Sequence, residues 1–173
     1  MVVVSMGSGI SGLYLGTVGS SQPYAESYQV VEEIKNQDKN NPNVWSSKKG
    51  YRKNPLARNI SECVKGNSIY YEGKKANGKM TYVVDMDDNL IFGKRFNPVN
   101  NDARSPHPML IGGKNPKVKV AGMIEFRGGK IYSIDNNSGH YRPAKRSLQV
   151  AEEVLRKLPG TVFHRNSKWR QNE

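Results

Sequence analysis

Two pairs of short apolar runs, each pair joined by a tight polar turn, constrain the fold of this chain most strongly. The first pair covers 81–85 and 90–95 around Asp87-Asp88-Asn89, and the second covers 118–126 and 130–134 around Arg127-Gly128-Gly129. Neighbouring runs with such turns are typical of β-hairpins, and hairpins build antiparallel sheets. The middle of the chain is therefore predicted to form an antiparallel sheet.

Helical periodicity flanks this sheet region on both sides. Apolar residues recur at helical spacing over 21–38 and again from Asn54-Pro55 to Gly66, which predicts two N-terminal helices. The clearest pattern covers 144–158, where a single apolar stripe is formed by Leu148, Ala151, Val154, Leu155 and Leu158. This order predicts an α+β fold, in which an antiparallel sheet built from hairpins is packed by N-terminal helices and one C-terminal helix.

The length of 173 residues fits one domain. We expect a linker or loose segment at 1–20, where five glycines interrupt an uncharged apolar run, and a single domain over 21–173. Within it, 21–66 is the predicted helical part, and 67–173 is the predicted sheet and site part, with a short strand at 161–163. No run is apolar for long enough to predict membrane insertion.

Positive charge is concentrated in the C-terminal part. The chain has 27 Lys and Arg against 15 Asp and Glu, a formal net charge of +12. Residues 104–170 hold 14 of the basic side chains and 4 of the acidic ones. Such a field attracts polyanions, because phosphates release counterions on binding and because the field steers the encounter. We therefore expect RNA or another polyanionic substrate, with pairing to an acidic protein as the alternative.

Two histidines are candidates for proton transfer, because imidazole titrates near neutral pH. His140 stands in Ser138-Gly139-His140-Tyr141-Arg142-Pro143, where Gly139 permits close approach of a ligand and Arg142 can bind phosphate in a bidentate way. His107 stands between two prolines that hold its loop stiff. The alternatives are a turn histidine at 107 and a solvated basic helix start after 140.

Four further cations are candidate phosphate ligands. Lys145 and Arg146 fall in the first turn of the predicted C-terminal helix, where exposed amides favour anions. Cations oppose the helix dipole there, so a bound phosphate would reconcile them. Arg104 and Lys114 lie in the long Pro-, Asn- and Gly-rich segment 97–117, and loops of that length are often functional.

The sequence contains few candidate metal ligands in its basic part. The acidic side chains of the basic part are Glu125, Asp135, Glu152 and Glu153, whereas metal-dependent nucleases need clustered carboxylates. The single cysteine, Cys63, excludes an internal disulfide framework and a cysteine-rich zinc site. The sequence therefore predicts chemistry without a metal ion.

The run Val120–Phe126, then Gly129-Lys130-Ile131 and Ser138–Pro143, resembles a module found in C-terminal domains of bacterial polymorphic toxins of the Rhs type. A related run occurs in plant IQ-motif calmodulin-binding proteins. The resemblance covers roughly residues 80–145, and its most specific part is Ser-Gly-His-Tyr-x-Pro. Many members have Glu after Ala-Gly, where this chain has Met123, and Glu125 two residues later is the candidate acidic catalytic residue.

This resemblance implies a secreted effector that acts in the cytoplasm of a target cell during interbacterial competition. It also implies a neutralising immunity protein, which we expect to be acidic to match the basic surface. The plant relatives imply that the same module can also serve as a scaffold for binding.

Three functions fit these features. The leading hypothesis is a metal-independent ribonuclease without cofactor, in which His140 is the general base for a ribose 2′-hydroxyl and His107 is the acid. Arg142 and Lys145 would stabilise the transition state, and Tyr141 would stack on a base or orient phosphate. The alternative is an ADP-ribosyltransferase that uses NAD through His107, Tyr141 and a glutamate among Glu125, Glu152 and Glu153. The third is a non-enzymatic module that binds nucleic acid or protein.

Overall fold

The computed structural model describes residues 21–94 and 105–167 of the chain. These residues contain two α-helices, α1 (Glu32–Asp38) and α2 (Leu148–Leu155). Their strands, in chain order, are β1 (Trp45–Ser46), β2 (Gly50–Tyr51), β3 (Arg58–Asn59), β4 (Val64–Lys65), β5 (Ser68–Tyr71), β6 (Lys74–Lys75), β7 (Gly78–Val84), β8 (Leu90–Gly93), β9 (Val120–Arg127) and β10 (Lys130–Ile134). Short 3-10 helices lie at Ile60–Glu62, His107–Leu110, Lys145–Ser147 and Gly160–Val162.

The central element is a five-stranded sheet in the order β10-β9-β7-β8-β3, with every neighbouring pair antiparallel. Strands β7 and β8 form one predicted hairpin, and β9 and β10 form the other. The long pairing of β7 with β9, from Gly78 opposite Phe126 to Val84 opposite Val120, joins the two hairpins. The predicted α+β fold with an antiparallel sheet built from hairpins is therefore confirmed.

The two faces of this sheet support two apolar clusters. On one face Tyr82, Val120 and Ile124 pack with Ala151 and Leu155 of α2. On the other face Val83 and Ala121 pack with residues from the N-terminal part and from the 107–111 segment. Side chains alternate between the faces of a strand, so one run of apolar residues supplies both clusters.

The predicted second helix, between Asn54 and Gly66, is wrong. That segment holds β3, the 3-10 helix Ile60–Glu62 and β4, and β3 pairs with β8 while β4 pairs with β5. Ile60 is buried, and Leu56 and Cys63 pack against the same core, so the apolar residues are internal as expected. Because pairing with distant strands satisfies the backbone, it overrides the weak local helical preference.

The predicted first helix is shorter than 21–38. Only Glu32–Asp38 is helical, and 21–31 forms an extended arm along the rest of the domain. Tyr28 exchanges two backbone hydrogen bonds with Val118, and its buried side chain belongs to the second cluster. The tyrosine and valine spacing of this arm reflects burial against the domain and not a helix.

The C-terminal helix is confirmed, with the 3-10 helix Lys145–Ser147 leading into α2. The predicted strand at 161–163 is wrong, because Gly160–Val162 is a 3-10 helix, and only an isolated parallel bridge joins Phe163 to Ile131. The predicted linker at 1–20 lies outside the described residues. Within the described ranges, the model has no helix of the length and apolar character that a bilayer crossing requires.

Candidate functional site

The segment that follows β10 is fixed to the sheet before the Ser138–Pro143 loop begins. The carboxylate Oδ1 of Asp135 accepts hydrogen bonds from the Met123 and Asn137 amides, at 2.8 and 2.9 Å. Burial raises the pKa of Asp135, and these two amide donors oppose that rise. The Tyr82 hydroxyl donates to the Asp135 carbonyl at 2.6 Å. The loop therefore starts from a rigid anchor.

The loop itself contains a strained residue. Arg142 has a φ of +45°, a value that residues other than glycine rarely adopt. Its amide donates to the Ser138 carbonyl at 2.7 Å, and its carbonyl accepts from the Gln22 amide at 2.7 Å. Backbone strain of this kind persists only where neighbours enforce it, and it clusters at functional sites.

The N-terminal arm, residues 21–31, supplies hydrogen bonds that hold the loop in this conformation. The Val31 amide donates to the His140 carbonyl at 2.8 Å, and the Gln22 side-chain amide donates to the Tyr141 carbonyl at 2.6 Å. Together with the Gln22 backbone contact, these bonds hold three consecutive carbonyls of the loop. The arm and the loop are therefore one structural unit, although more than 100 positions separate them in the chain.

The side chain of His140 is joined to a carboxylate from the N-terminal part. Its Nε2 lies 2.9 Å from Oδ2 of Asp38, the last residue of α1. A carboxylate accepts hydrogen bonds, so Nε2 is the donor and Nδ1 is left as the basic nitrogen. The two side chains are 22% and 16% exposed, so the pair is mostly buried but still reaches the surface.

The same carboxylate oxygen accepts a second hydrogen bond, from the hydroxyl of Tyr51 at 2.6 Å. Tyr51 is buried on β2, and burial, followed by the hydrogen bond to Asp38 and the carboxylate charge, raises its pKa far above the ordinary value. The phenol therefore keeps its proton and remains a donor. The Tyr51–Asp38–His140 network orients the imidazole in the way that a buried carboxylate orients a catalytic histidine.

The position of Tyr51 depends on a close approach of two backbones. The Tyr51 amide and carbonyl both pair with Gly113, at 2.8 and 2.9 Å. A Cβ at Gly50 would lie 2.5 Å from the Gly113 carbonyl oxygen, so only glycine fits at position 50. Lys114 follows directly, and its exposed side chain lies at the border of the same region.

Sequence reasoning missed both Asp38 and Tyr51. Asp38 carried one signal: an acidic residue at the C-terminal end of a helix opposes the helix dipole and needs a compensating partner. The partner, His140, lies 102 positions away, which no local pattern reveals. Tyr51 carried no signal beyond its place in a polar loop.

Tyr141, predicted to stack on a base, is instead a core residue. Its side chain is 0% exposed and belongs to the second apolar cluster. Its hydroxyl donates to the Pro116 carbonyl at 2.5 Å, and burial raises its pKa. The stacking role is therefore wrong, because the ring presents no face to a ligand.

His107 is also buried, at 7% exposed, in the 3-10 helix His107–Leu110. Its Nε2 lies 2.8 Å from the carbonyl oxygen of Gly122 on β9. A carbonyl can only accept, so Nε2 carries the proton. His107 thus contacts β9, whereas His140 contacts Asp38 of α1, and the bond to Gly122 gives His107 a structural role.

We expect His107→Ala to lower the free energy of unfolding by about 1–3 kcal/mol, since it removes a buried hydrogen bond and leaves a cavity. His107→Gln retains a donor for Gly122 and should recover part of that loss. Urea denaturation measures both variants. A glutamine variant that is as stable as the parent yet loses RNA cleavage would restore His107 as the catalytic acid.

The candidate cations are distributed around the loop. The Arg142 guanidinium lies mostly inside the protein, with Nε donating to the Gly139 carbonyl at 3.2 Å and Nη1 lying 3.7 Å from Glu33. Lys145 and Arg146 are exposed at the start of the C-terminal helical segment. Arg104 lies outside the described residues. Lys145 and Arg146 thus lie five and six positions after His140 in the chain with exposed side chains, while Arg142 faces Glu33 of α1.

Glu125, the candidate acidic residue, belongs to a different contact. Its carboxylate accepts from Nε of Arg127 at 2.9 Å, and the Arg127 guanidinium stacks 3.4 Å from the centre of the Tyr132 ring. This pair lies on β9 and not in the motif loop, Ser138–Pro143. Across 21–94 and 105–167, no three or more His, Cys, Asp or Glu side chains are grouped so that they could hold a metal ion.

The chain was compared with protein-family models, with curated proteins and with solved structures, and none of them matches it. No relative therefore supplies a substrate or a reaction for this fold. The function has to be inferred from the Asp38–His140 pair and from the charge that surrounds it.

Proposed function

We propose that this domain is a bacterial effector toxin that cleaves RNA without a metal ion, with His140 as general base. The observation that carries the proposal is the hydrogen bond from His140 Nε2 to Asp38, whose carboxylate also accepts from Tyr51. A histidine fixed by a carboxylate in a partly open site is the arrangement that proton abstraction requires.

On this mechanism Nδ1 of His140 takes the proton of a ribose 2′-hydroxyl. The 2′-oxygen then attacks the adjacent phosphorus, the bond to the 5′-oxygen of the next nucleotide breaks, and a 2′,3′-cyclic phosphate forms. The departing oxygen takes a proton from solvent, and Asp38 stabilises the imidazolium that has formed. DNA lacks the 2′-hydroxyl, so the mechanism acts on RNA alone.

The distribution of charge supports a polyanionic substrate. Residues 104–170 carry 14 basic and 4 acidic side chains. Lys114, Lys145 and Arg146 expose their cationic groups, and Arg142 lies in the motif loop itself. Cations of this kind hold the phosphates of the backbone and stabilise charge on the phosphorane-like transition state.

The toxin setting comes from the resemblance of Ser138–Pro143 and the preceding hairpin to Rhs-type toxin domains. It places the activity in the cytoplasm of a target cell after secretion. The producing cell then needs an immunity protein, and an acidic surface on that protein would complement the net charge of +12.

Among the residues that the structure describes, no contact favours the transferase hypothesis in the same way. Two members of its proposed NAD set, His107 and Tyr141, are buried and hydrogen-bonded to backbone carbonyls. Glu125 is paired with Arg127. The transferase and the binding module are therefore kept as outcomes of the test.

The test is incubation of the pure domain with total cellular RNA in EDTA, with and without labelled NAD. We expect fragments that end in 2′,3′-cyclic phosphate, formed without NAD, and an intact DNA control of the same sequence. Intact RNA would overturn the proposal. Label transferred from NAD would identify a transferase, and RNA that is bound but uncleaved would identify a binding module.

A further inference from the structure

Tyr24 is an exposed aromatic residue beside the motif loop. Its side chain is 44% exposed, whereas Tyr28, four residues further along the same extended arm, is 3% exposed and packs in the core. The guanidinium carbon of Arg146 lies 4.4 Å from the centre of the Tyr24 ring. An aromatic ring and a guanidinium plane thus form one exposed surface.

The backbone on both sides of Tyr24 is fixed. Gln22, two residues earlier, is bonded to the carbonyls of Tyr141 and Arg142, at 2.6 and 2.7 Å. The amide of Ala25, one residue later, donates to the Tyr28 hydroxyl at 3.0 Å. A Cα spacing of about 3.8 Å per residue keeps Tyr24 within roughly 8 Å of Gln22. The exposed ring is therefore held next to the loop that carries His140.

The cations of this surface are not neutralised by neighbouring carboxylates. Elsewhere on the domain Lys119 pairs with Asp88 and Arg127 pairs with Glu125. Among residues 21–94 and 105–167, no carboxylate lies within ion-pair distance of Lys145 or Arg146. Their charge therefore remains available to an anionic ligand.

We propose that Tyr24 and Arg146 form a stacking site for an unpaired base of single-stranded RNA, beside the loop that carries His140. Proteins that bind single strands combine exposed aromatic or guanidinium planes, which stack on bases, with cations that follow the backbone. Lys145 supplies the phosphate contact. The proposal rests on the proposed function and narrows its substrate to unpaired RNA, because a duplex hides the faces of its bases between neighbours.

The test measures binding of a short, labelled single-stranded DNA of mixed sequence by fluorescence anisotropy at fixed salt. This probe stacks as RNA does and lacks the 2′-hydroxyl, so binding is measured without cleavage. We expect Tyr24→Ala to weaken binding roughly 5- to 150-fold, and Tyr24→Phe to bind as the parent does. Arg146→Lys retains the charge and loses the plane, so it should also weaken the single-strand complex.

The matched control is Tyr70→Ala. Tyr70 also faces a cation, Lys65 at 5.6 Å, but on the separate β4-β5-β6 sheet. This variant should bind the single strand as tightly as the parent does. Tyr24→Ala and Tyr70→Ala should both bind a duplex probe with the affinity of the parent. Equal losses in Tyr24→Ala and Tyr70→Ala would indicate a general charge or folding effect and would overturn the proposal.

The remaining outcomes separate this site from the proposed function. If Tyr24→Ala binds the single strand as tightly as the parent, the stacking site is wrong, whatever the enzyme does. If the parent cleaves RNA in EDTA but shows no preference for single strands, the result supports the ribonuclease proposal and contradicts the stacking site. If the parent neither binds nor cleaves, both are wrong.

Discussion

Replacement of His140 by alanine is expected to lower the rate of RNA cleavage by about 10²- to 10⁴-fold, the range that a positioned general base contributes. Binding of single-stranded nucleic acid should stay close to that of the parent, because a neutral imidazole adds little to phosphate affinity. The measurement is kcat on a single-stranded RNA, together with the Kd for its DNA counterpart. Loss of cleavage with retained binding separates a catalytic role from a role in the fold.

Two further variants test the network behind His140. Asp38→Asn keeps the size of the side chain but replaces one acceptor oxygen with a donor, which misorients the imidazole, so a loss approaching that of His140→Ala is expected. Tyr51→Phe removes only the hydroxyl that supports Asp38 and should cause the smallest loss. Melting temperatures of all three variants serve as the control for folding. Full activity in both His140→Ala and Asp38→Asn would exclude this pair from the reaction.

Replacement of Gly122 by alanine is expected to cost at least about 3 kcal/mol of stability, more than most overpacked cores lose. An added Cβ would lie 1.9 Å from the carbonyl oxygen of Asp135 and 2.6 Å from its carbonyl carbon. The obstacle is backbone, and that carbonyl already accepts a hydrogen bond from Tyr82. Neither β9 at position 122 nor the backbone at Asp135 can move away without breaking the anchor of the motif loop. We therefore expect a large loss of stability, which urea denaturation measures.

Gly139→Ala is the matched control, because it lies in the motif loop with no heavy atom within 4 Å of an added Cβ and with no positive φ. Its stability should differ little from that of the parent. A stable Gly139→Ala variant that loses cleavage would support close approach of the substrate at this position. A Gly122→Ala variant as stable as the parent would show that the segment after β10 can move away from β9.

The sheet was the part of the fold that local patterns predicted well. Two short apolar runs and the Asp87-Asp88-Asn89 turn between them, where Asp88 adopts a φ of +62°, specify a hairpin without help from distant residues. The helix prediction for 54–66 failed because Leu56, Ile60 and Cys63 have helical spacing, whereas the residues between and after them, Arg58–Asn59 and Val64–Lys65, pair with β8 and β5. The helix prediction for 21–31 failed for a related reason, since this arm is held by contacts with Val118, just before β9, and with the motif loop.

The site was predictable in part. The local motif around His140 identified it as a candidate site residue, and the composition indicated an excess of basic side chains. Asp38 and Tyr51 could not be predicted, because Asp38 meets His140 only in the folded chain and Tyr51 is joined to His140 only through Asp38. The burial of Tyr141 and His107 also depends on packing across the sheet, which no neighbouring residue in the sequence indicates.

The separation of 102 positions between Asp38 and His140 has a consequence for when the protein is active. Contacts this distant in sequence form only after much of the chain has closed on itself, and the loss of entropy on closing such loops makes them slow. A chain that is still being synthesised therefore does not yet contain the Asp38–His140 pair. On the proposed function, the domain can therefore cleave RNA only after its folding is complete.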